Sequence, residues 1–285
     1  MEIMNQGKRD PVNEFDEIRE YHSRSSGIFF ECDRYLHRES SIYQKIEVIN
    51  NPHFGHILFL DGLVQTTEKD EFFYHEMLTH PAFVTHPDPQ KVLIIGGGDG
   101  GVLKEVLRYP IEKAKLVEID PQVIKVSKKY FPWLKSCLKD SRAEIVVADG
   151  KIFLQNSDQT FDIILVDSSE PVGPSISLHE ETFYRALKSR LAAHGVACLQ
   201  MASPFYHSEA IVKTNAVLDE LFQVARLYTA PVPTYPGGLW CFSFLSDKLN
   251  PLAIKRKPPV GLKYFNQDIH RAAFALPNFL KEKLK

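Results

Sequence analysis

The chain has 285 residues, 44% of them apolar, with 34 basic side chains against 36 acidic ones and a net charge of −2. That length holds one large domain plus a small one, and a near-balanced charge without a basic stripe argues against nucleic acid as a partner. No apolar run reaches membrane length and no leader pattern opens the chain, so no membrane association is expected. Cys32, Cys137, Cys198 and Cys241 are scattered without metal or redox spacing. They read as buried residues in a reducing compartment, which makes the cytoplasm the expected location.

Residues 1–20 are polar and charged and read as a flexible N-terminal arm. Residues 21–68 form the first folded unit. Residues 41–49 alternate as a strand, Asn50-Asn51-Pro52 is a turn, 56–60 a second strand, and Asp61-Gly62 a second turn. This is the grammar of a small antiparallel β domain. Thr67-Glu68-Lys69-Asp70 resembles a capping box that opens a helix over 71–79. The second unit, 69–285, changes pattern after Pro87-Asp88-Pro89. Strands and helices alternate from there to about residue 246, as in an α/β doubly wound parallel sheet. Ser177-Leu178-His179-Glu180 reads as another capping box, for a helix running past Phe183 to Leu191.

The densest signal is Lys-Val-Leu-Ile-Ile-Gly-Gly-Gly-Asp-Gly-Gly over 91–101. A strand buried on both faces runs into a glycine turn and then an amphipathic helix, and Gly96, Gly98 and Gly101 meet the G-x-G-x-x-G spacing in the required context. Asp99 sets this turn apart. A carboxylate there repels a pyrophosphate and attracts a cation, so a nucleoside carrying a sulfonium suits the loop better than NAD does. Glu118 ends the next strand about 20 residues on, where a ribose-binding acid belongs. Asp149-Gly150 follows the third strand and offers an acid and an amide to an adenine edge.

The fourth strand, 161–166, ends in Asp167-Ser168-Ser169-Glu170-Pro171-Val172-Gly173-Pro174. In an open parallel sheet ligands bind beyond the carboxyl ends of the strands, at the switch point. The first and fourth strands are neighbours there, so Asp99 and Asp167 are expected to face one cleft. An amine reaches such a cleft protonated, at a pKa near ~10.4 by lysine's example. A carboxylate then anchors the ammonium and takes a proton as nitrogen attacks. His75 and His80 are not a zinc pair, because residues five apart on a helix point about 140° apart at ~100° per step. No metal site is expected.

The run Asp-Gly-Leu-Val-Gln-Thr-Thr-Glu-Lys-Asp-Glu-Phe-Phe-Tyr-His-Glu-Met over 61–77 resembles the signature of the spermidine synthases. So do Gly-Gly-Gly-Asp-Gly-Gly over 96–101, Pro-Thr-Tyr-Pro-Gly-Gly over 233–238 and Phe-Ala-Leu-Pro over 274–277. The motifs fall in order, and the likeness runs from about 25 to 280. The resemblance implies a methyltransferase-like Rossmann domain behind the N-terminal β domain, in a homodimer or homotetramer. It implies transfer of the aminopropyl group of decarboxylated S-adenosylmethionine to putrescine, with that nucleoside as co-substrate and no cofactor.

Carried over residue by residue, the resemblance makes Asp167 the catalytic proton acceptor. Gln44, Gln65, His75, Asp99, Glu118, Asp149, Gly150 and Pro174 match donor contacts. Tyr74, His75, Asp99, Asp167, Glu170 and Tyr235 match the acceptor side. The chain departs from the family pattern at Glu170, usually aspartate, at Ala202, where an acid is common, and at His179, where Phe or Tyr is common. These leave the donor site intact and open the alternative of a different amine acceptor. A non-catalytic nucleoside-binding homologue is the reading from another class, and retention of Asp167 argues against it.

Overall fold

The computed structural model describes residues 16–169 and 173–284. Strands β1 (Asp16–Tyr21) and β2 (Gly27–Cys32) form an antiparallel hairpin. A four-stranded antiparallel sheet follows, of β3 (Arg34–Ser40), β4 (Lys45–Asn51), β5 (Gly55–Leu60) and β6 (Leu63–Thr67), in that spatial order. Helix α1 (Glu71–Thr85) leads into β7 (Lys91–Gly96), α2 (Gly101–Val106), β8 (Lys113–Glu118), α3 (Pro121–Tyr130), α4 (Pro132–Cys137) and β9 (Ala143–Val147). Then come α5 (Gly150–Asn156), β10 (Phe161–Asp167), α6 (Glu181–Arg190), β11 (Leu191–Ala202), α7 (Ser208–Leu221), β12 (Val224–Pro231) and β13 (Leu239–Ser246). Helices α8 (Gln267–Ala273) and α9 (Asn278–Lys283) end the described chain.

The large sheet is seven-stranded, in the order β12-β13-β11-β10-β7-β8-β9. Strands β7 to β11 run parallel, and β13 is antiparallel to both its neighbours. The order reverses between β7 and β10, which makes their carboxyl ends the switch point. Their apolar runs, Val92 to Ile95 and Ile163 to Val166, are at most 2% exposed, as strands covered on both faces must be. Among the described residues no helix is long and apolar enough to cross a membrane, and the four cysteines are free and buried.

Five local expectations give way. Residues 16–20 are not part of a loose arm: β1 alternates, burying Ile18 and Glu20, and pairs with β2. The rest of the expected arm lies outside the described residues. The strand expected over 41–49 begins only at Lys45, because the Ser41 hydroxyl accepts from the amides of Tyr43 (3.0 Å) and Gln44 (3.1 Å) and closes a tight turn between β3 and β4. Thr67 does not cap α1; its hydroxyl accepts from the Asp70 amide (3.2 Å) and donates to the Asp70 carboxylate (2.7 Å). Helix α1 runs beyond residue 79, through Pro81, since the segment to Thr85 is buried on all sides. Residues 173–179 form a 3-10 turn, and Glu180 leaves α6 without a side-chain cap because its carboxylate pairs with Lys151 at 2.5 Å.

Candidate active site

One cavity, of about 140 Å³, opens beyond the carboxyl ends of β7, β8 and β10. The loop from β7 to α2 forms its floor. Gly96 has φ +77, and a Cβ there would lie 2.1 Å from the Asp167 carbonyl oxygen, so only glycine lets the two strand ends approach. A Cβ on Gly101 would fall 2.0 Å from Cε1 of His75, so the missing side chain is the space the imidazole occupies. Asp99 sits between these glycines, buried. Its Oδ1 accepts from the Gly101 amide at 3.0 Å, and its Oδ2 is 3.2 Å from His75 Nε2.

Asp167 ends β10 opposite Gly96 in register. The Tyr74 hydroxyl donates to its Oδ1 at 2.7 Å. Burial and then the charge of Asp99 push its carboxyl up to about 6, against the opposing pull of His75 and Tyr74. Burial alone would lower the His75 pKa, yet Asp99 and Glu71 outweigh it and raise it to about 10. His75 is therefore an imidazolium at neutral pH. Tyr235 packs 5.4 Å from Tyr74 and 4.7 Å from Trp240, ring centre to ring centre, and its hydroxyl donates to the Gln65 carbonyl at 2.5 Å. These aromatic rings make a narrow sleeve beside the acids.

The other end of the cavity suits a nucleoside. Glu118 accepts from the amides of Asp120 (2.9 Å) and Gly98 (3.2 Å), and burial lifts its carboxyl to about 7. The Ser41 turn brings Gln44 to the same edge, where its amide donates to Asp120 at 3.1 Å. Asp149 accepts from the Ile152 amide at 3.0 Å and caps α5, so its side chain has a structural task at the cavity wall.

Gln44, Gln65, Tyr74, His75, Asp99, Glu118, Asp149, Gly150, Asp167 and Tyr235 all line this one cavity. Glu170 and the side chain of Pro174 lie outside the described residues. Three further residues line the cavity. Glu20 reaches the sleeve from β1, its carboxylate accepting from the Val64 amide at 2.7 Å. Gln200 donates to the Ser168 carbonyl at 2.7 Å, tying down the chain after β10, and accepts from Trp240 Nε1 at 3.2 Å. Trp240 is therefore cavity wall. The signal for Glu20 is a strict alternation that turns one acid inward beside Ile18.

Among the described residues His75, Asp99 and Asp167 bring ligand-type atoms within 4.8 Å of one another. Both ring nitrogens of His75 already face carboxylates, Glu71 at 2.7 Å and Asp99 at 3.2 Å, and the acids gathered here suit an ammonium.

A mixed sheet with its switch point at an acid-lined cavity defines a protein of the Rossmann-like class. The chain belongs to the spermine/spermidine synthase family: the spermine/spermidine synthase domain matches residues 71–256, and the spermidine synthase tetramerisation domain matches 18–68. It is 45% identical over 262 residues to the polyamine aminopropyltransferase of Shouchella clausii, covering 91% of this chain and 95% of that protein. It is 42% identical over 269 residues to that of Bacillus subtilis, covering 93% and 98%. A crystal structure of spermidine synthase in complex with the transition state analogue AdoDATO superposes with a TM-score of 0.92 at 38% identity, covering 97% of this chain and 98% of that one. Spermidine synthase from Thermotoga maritima gives 0.89 at 37% identity, covering 97% of each. The chain is thus a transferase of the polyamine aminopropyltransferase type.

Proposed function

We propose that the enzyme transfers the aminopropyl group of decarboxylated S-adenosylmethionine to putrescine, forming spermidine and methylthioadenosine. The observation that carries this reading is the meeting of Asp99 and Asp167 at one aromatic sleeve, with the Asp167 carboxyl raised to about 6. The nucleoside lies along Gln44, Glu118, Asp149 and Gly150. Asp99, beside His75 and Gln65, holds the aminopropyl ammonium. The acceptor occupies the sleeve of Tyr74 and Tyr235, with one nitrogen at Asp167 and the other toward Glu20.

As the amine's lone pair forms the N–C bond, the C–S bond breaks and its electron pair returns to sulfur. The sulfonium leaves as a neutral thioether, and the nitrogen's proton passes to Asp167. Alignment in the sleeve and this base supply the acceleration, so the reaction runs without a cofactor. The enzyme works as a homodimer or homotetramer in the cytoplasm; the tetramerisation domain matched over 18–68 supports oligomerisation.

The test is incubation with decarboxylated donor and a panel of amines, with products identified by mass. Spermidine from putrescine is expected. A product from another amine in its place would assign the alternative acceptor that Glu170 and Ala202 raise, and no transfer to any amine would overturn the reading.

A further inference from the structure

Behind His75 runs a line of charges that starts outside the reaction cavity. His75 Nδ1 donates to Glu71 Oε2 at 2.7 Å, one helical turn back on α1. Lys104 of α2 donates to both oxygens of Glu71, at 2.7 and 2.8 Å, and also approaches Glu105 at 3.3 Å. His75 Nε2 continues the line to Asp99 at 3.2 Å. Neither Glu71 nor Lys104 lines the main cavity. Glu71 is 7% exposed, and a buried carboxylate persists only when its partners repay its desolvation.

We propose that Glu71 is a positioning residue for the transfer reaction: it holds His75 as an imidazolium aimed at Asp99. The inference rests on the aminopropyl-transfer reading and deepens it by assigning control of the base to a residue outside the cavity.

The chemistry follows from the charges around the ring. Asp99 approaches His75 from the β7–α2 loop, Asp167 from β10 and Glu71 from its own helix. Tyr74 packs 5.5 Å from the ring, and Asp70, Glu71 and Tyr235 line with it a second, smaller cavity. Asp99 and Asp167 would otherwise confront each other as like charges, and such a pair takes up a proton. A proton held there occupies the base. The imidazolium relieves that repulsion and keeps Asp167 free to accept the substrate's proton. Burial works against a charged ring, and the Asp99 and Glu71 carboxylates together overcome it. With Glu71 neutralised, Asp99 opposes burial nearly alone, and a Lys104 left near the ring disfavours the imidazolium further.

Two measurements test this. In the first, 13C-labelled histidine Cε1 signals are followed by NMR from pH 5.5 to 10 in the intact wild-type chain. The His75 signal, assigned by its loss in His75→Gln, is expected to stay in its imidazolium position up to about pH 9. In Glu71→Gln it is expected to titrate between pH 6 and 8. A wild-type His75 that titrates near 6.5, the ordinary histidine value, overturns the proposal without any variant.

In the second, kcat/KM is measured against pH for wild type, Glu71→Gln and Lys104→Met. Removing a positive charge within a few ångströms of Asp167 moves the acid limb upward by about one to three pH units. The Glu71→Gln variant then loses roughly two- to a hundredfold at pH 7 and recovers near pH 9. Lys104→Met keeps the Glu71–His75 bond, so its limb stays near that of wild type. Equal losses in both variants, constant with pH, would mean that the ion pair merely fastens α1 to α2, and the proposal would fall. If wild type transfers no aminopropyl group, the functional reading fails, while the NMR titration still decides the state of His75.

Discussion

Replacing Asp167 with asparagine isolates proton acceptance from every other service of that side chain. Asparagine is isosteric, and its carbonyl oxygen can still accept from the Tyr74 hydroxyl, which donates to Asp167 at 2.7 Å. What disappears is a base whose carboxyl stands at about 6 in place of the ordinary 3.8. Because the folded value is raised, the base is protonated and idle below pH 6 and ionised above it. Wild-type kcat/KM should therefore climb through about pH 6 and level off by neutrality. Loss of a general base costs ~10²–10⁴-fold, which is about 2.7–5.4 kcal/mol of barrier at ~1.36 kcal/mol per decade. The assay is chromatographic release of methylthioadenosine over pH 5 to 9, with the amine varied from well below its KM to saturation. Asp167→Asn should lose turnover by that factor and lose the rise through pH 6 with it. Calorimetry should find methylthioadenosine affinity nearly unchanged, because Glu118, Gln44 and Asp149 stand at the opposite end of the cavity. A variant that keeps half the wild-type activity, or keeps the same acid limb, refutes the assignment of Asp167 as base.

Decarboxylated S-adenosylmethionine should bind far more tightly than S-adenosylmethionine, since Asp99 repels a carboxylate on the donor tail; equal affinities by calorimetry would remove that role. Gly101→Ala would set a Cβ 2.0 Å from the His75 ring, so the ring must leave its place between Glu71 and Asp99. Activity should fall by at least ~10-fold if about 1.4 kcal/mol of alignment is lost, and an unchanged kcat would contradict it. Glu20→Gln should raise KM for the diamine roughly tenfold or more, as expected when a charge-assisted contact of ~1.5–3 kcal/mol is lost. Its donor affinity and kcat should hold, and an unaltered KM would remove Glu20 from the acceptor end.

The donor side was the most legible part of the sequence because its signals are local. Strand, glycine turn and helix follow one another within 91–106, and Glu118 and Asp149 close the next two strands by the same rule. The pairing of Asp99 with Asp167 needed one topological step, and the reversal of strand order between β7 and β10 supplied it. Tyr74 and Tyr235 were placed by resemblance alone, since an isolated tyrosine has no spacing to read. Glu20 was lost in a charged stretch whose only apolar landmark is Ile18. The Glu71–Lys104 pair joins residues 33 apart, on helices whose contact no periodicity announces. At 177–180, a polar and acidic spacing imitated a cap, although the fold uses Ser175, Ser177 and Leu178 as cavity wall.

The sleeve is stitched from separate lengths of chain. Glu20 bonds the Val64 amide, Tyr235 bonds the Gln65 carbonyl, and Asp70 accepts from the amide (3.0 Å) and hydroxyl (2.8 Å) of Thr234. One flank of the amine's path therefore belongs to the N-terminal sheets and the other to the segment before β13, while Asp99 and Asp167 belong to neither. A chimaera that takes residues 16–68 from one relative and the remainder from another would inherit its reacting acids from a single parent. Its choice of amine would come from both.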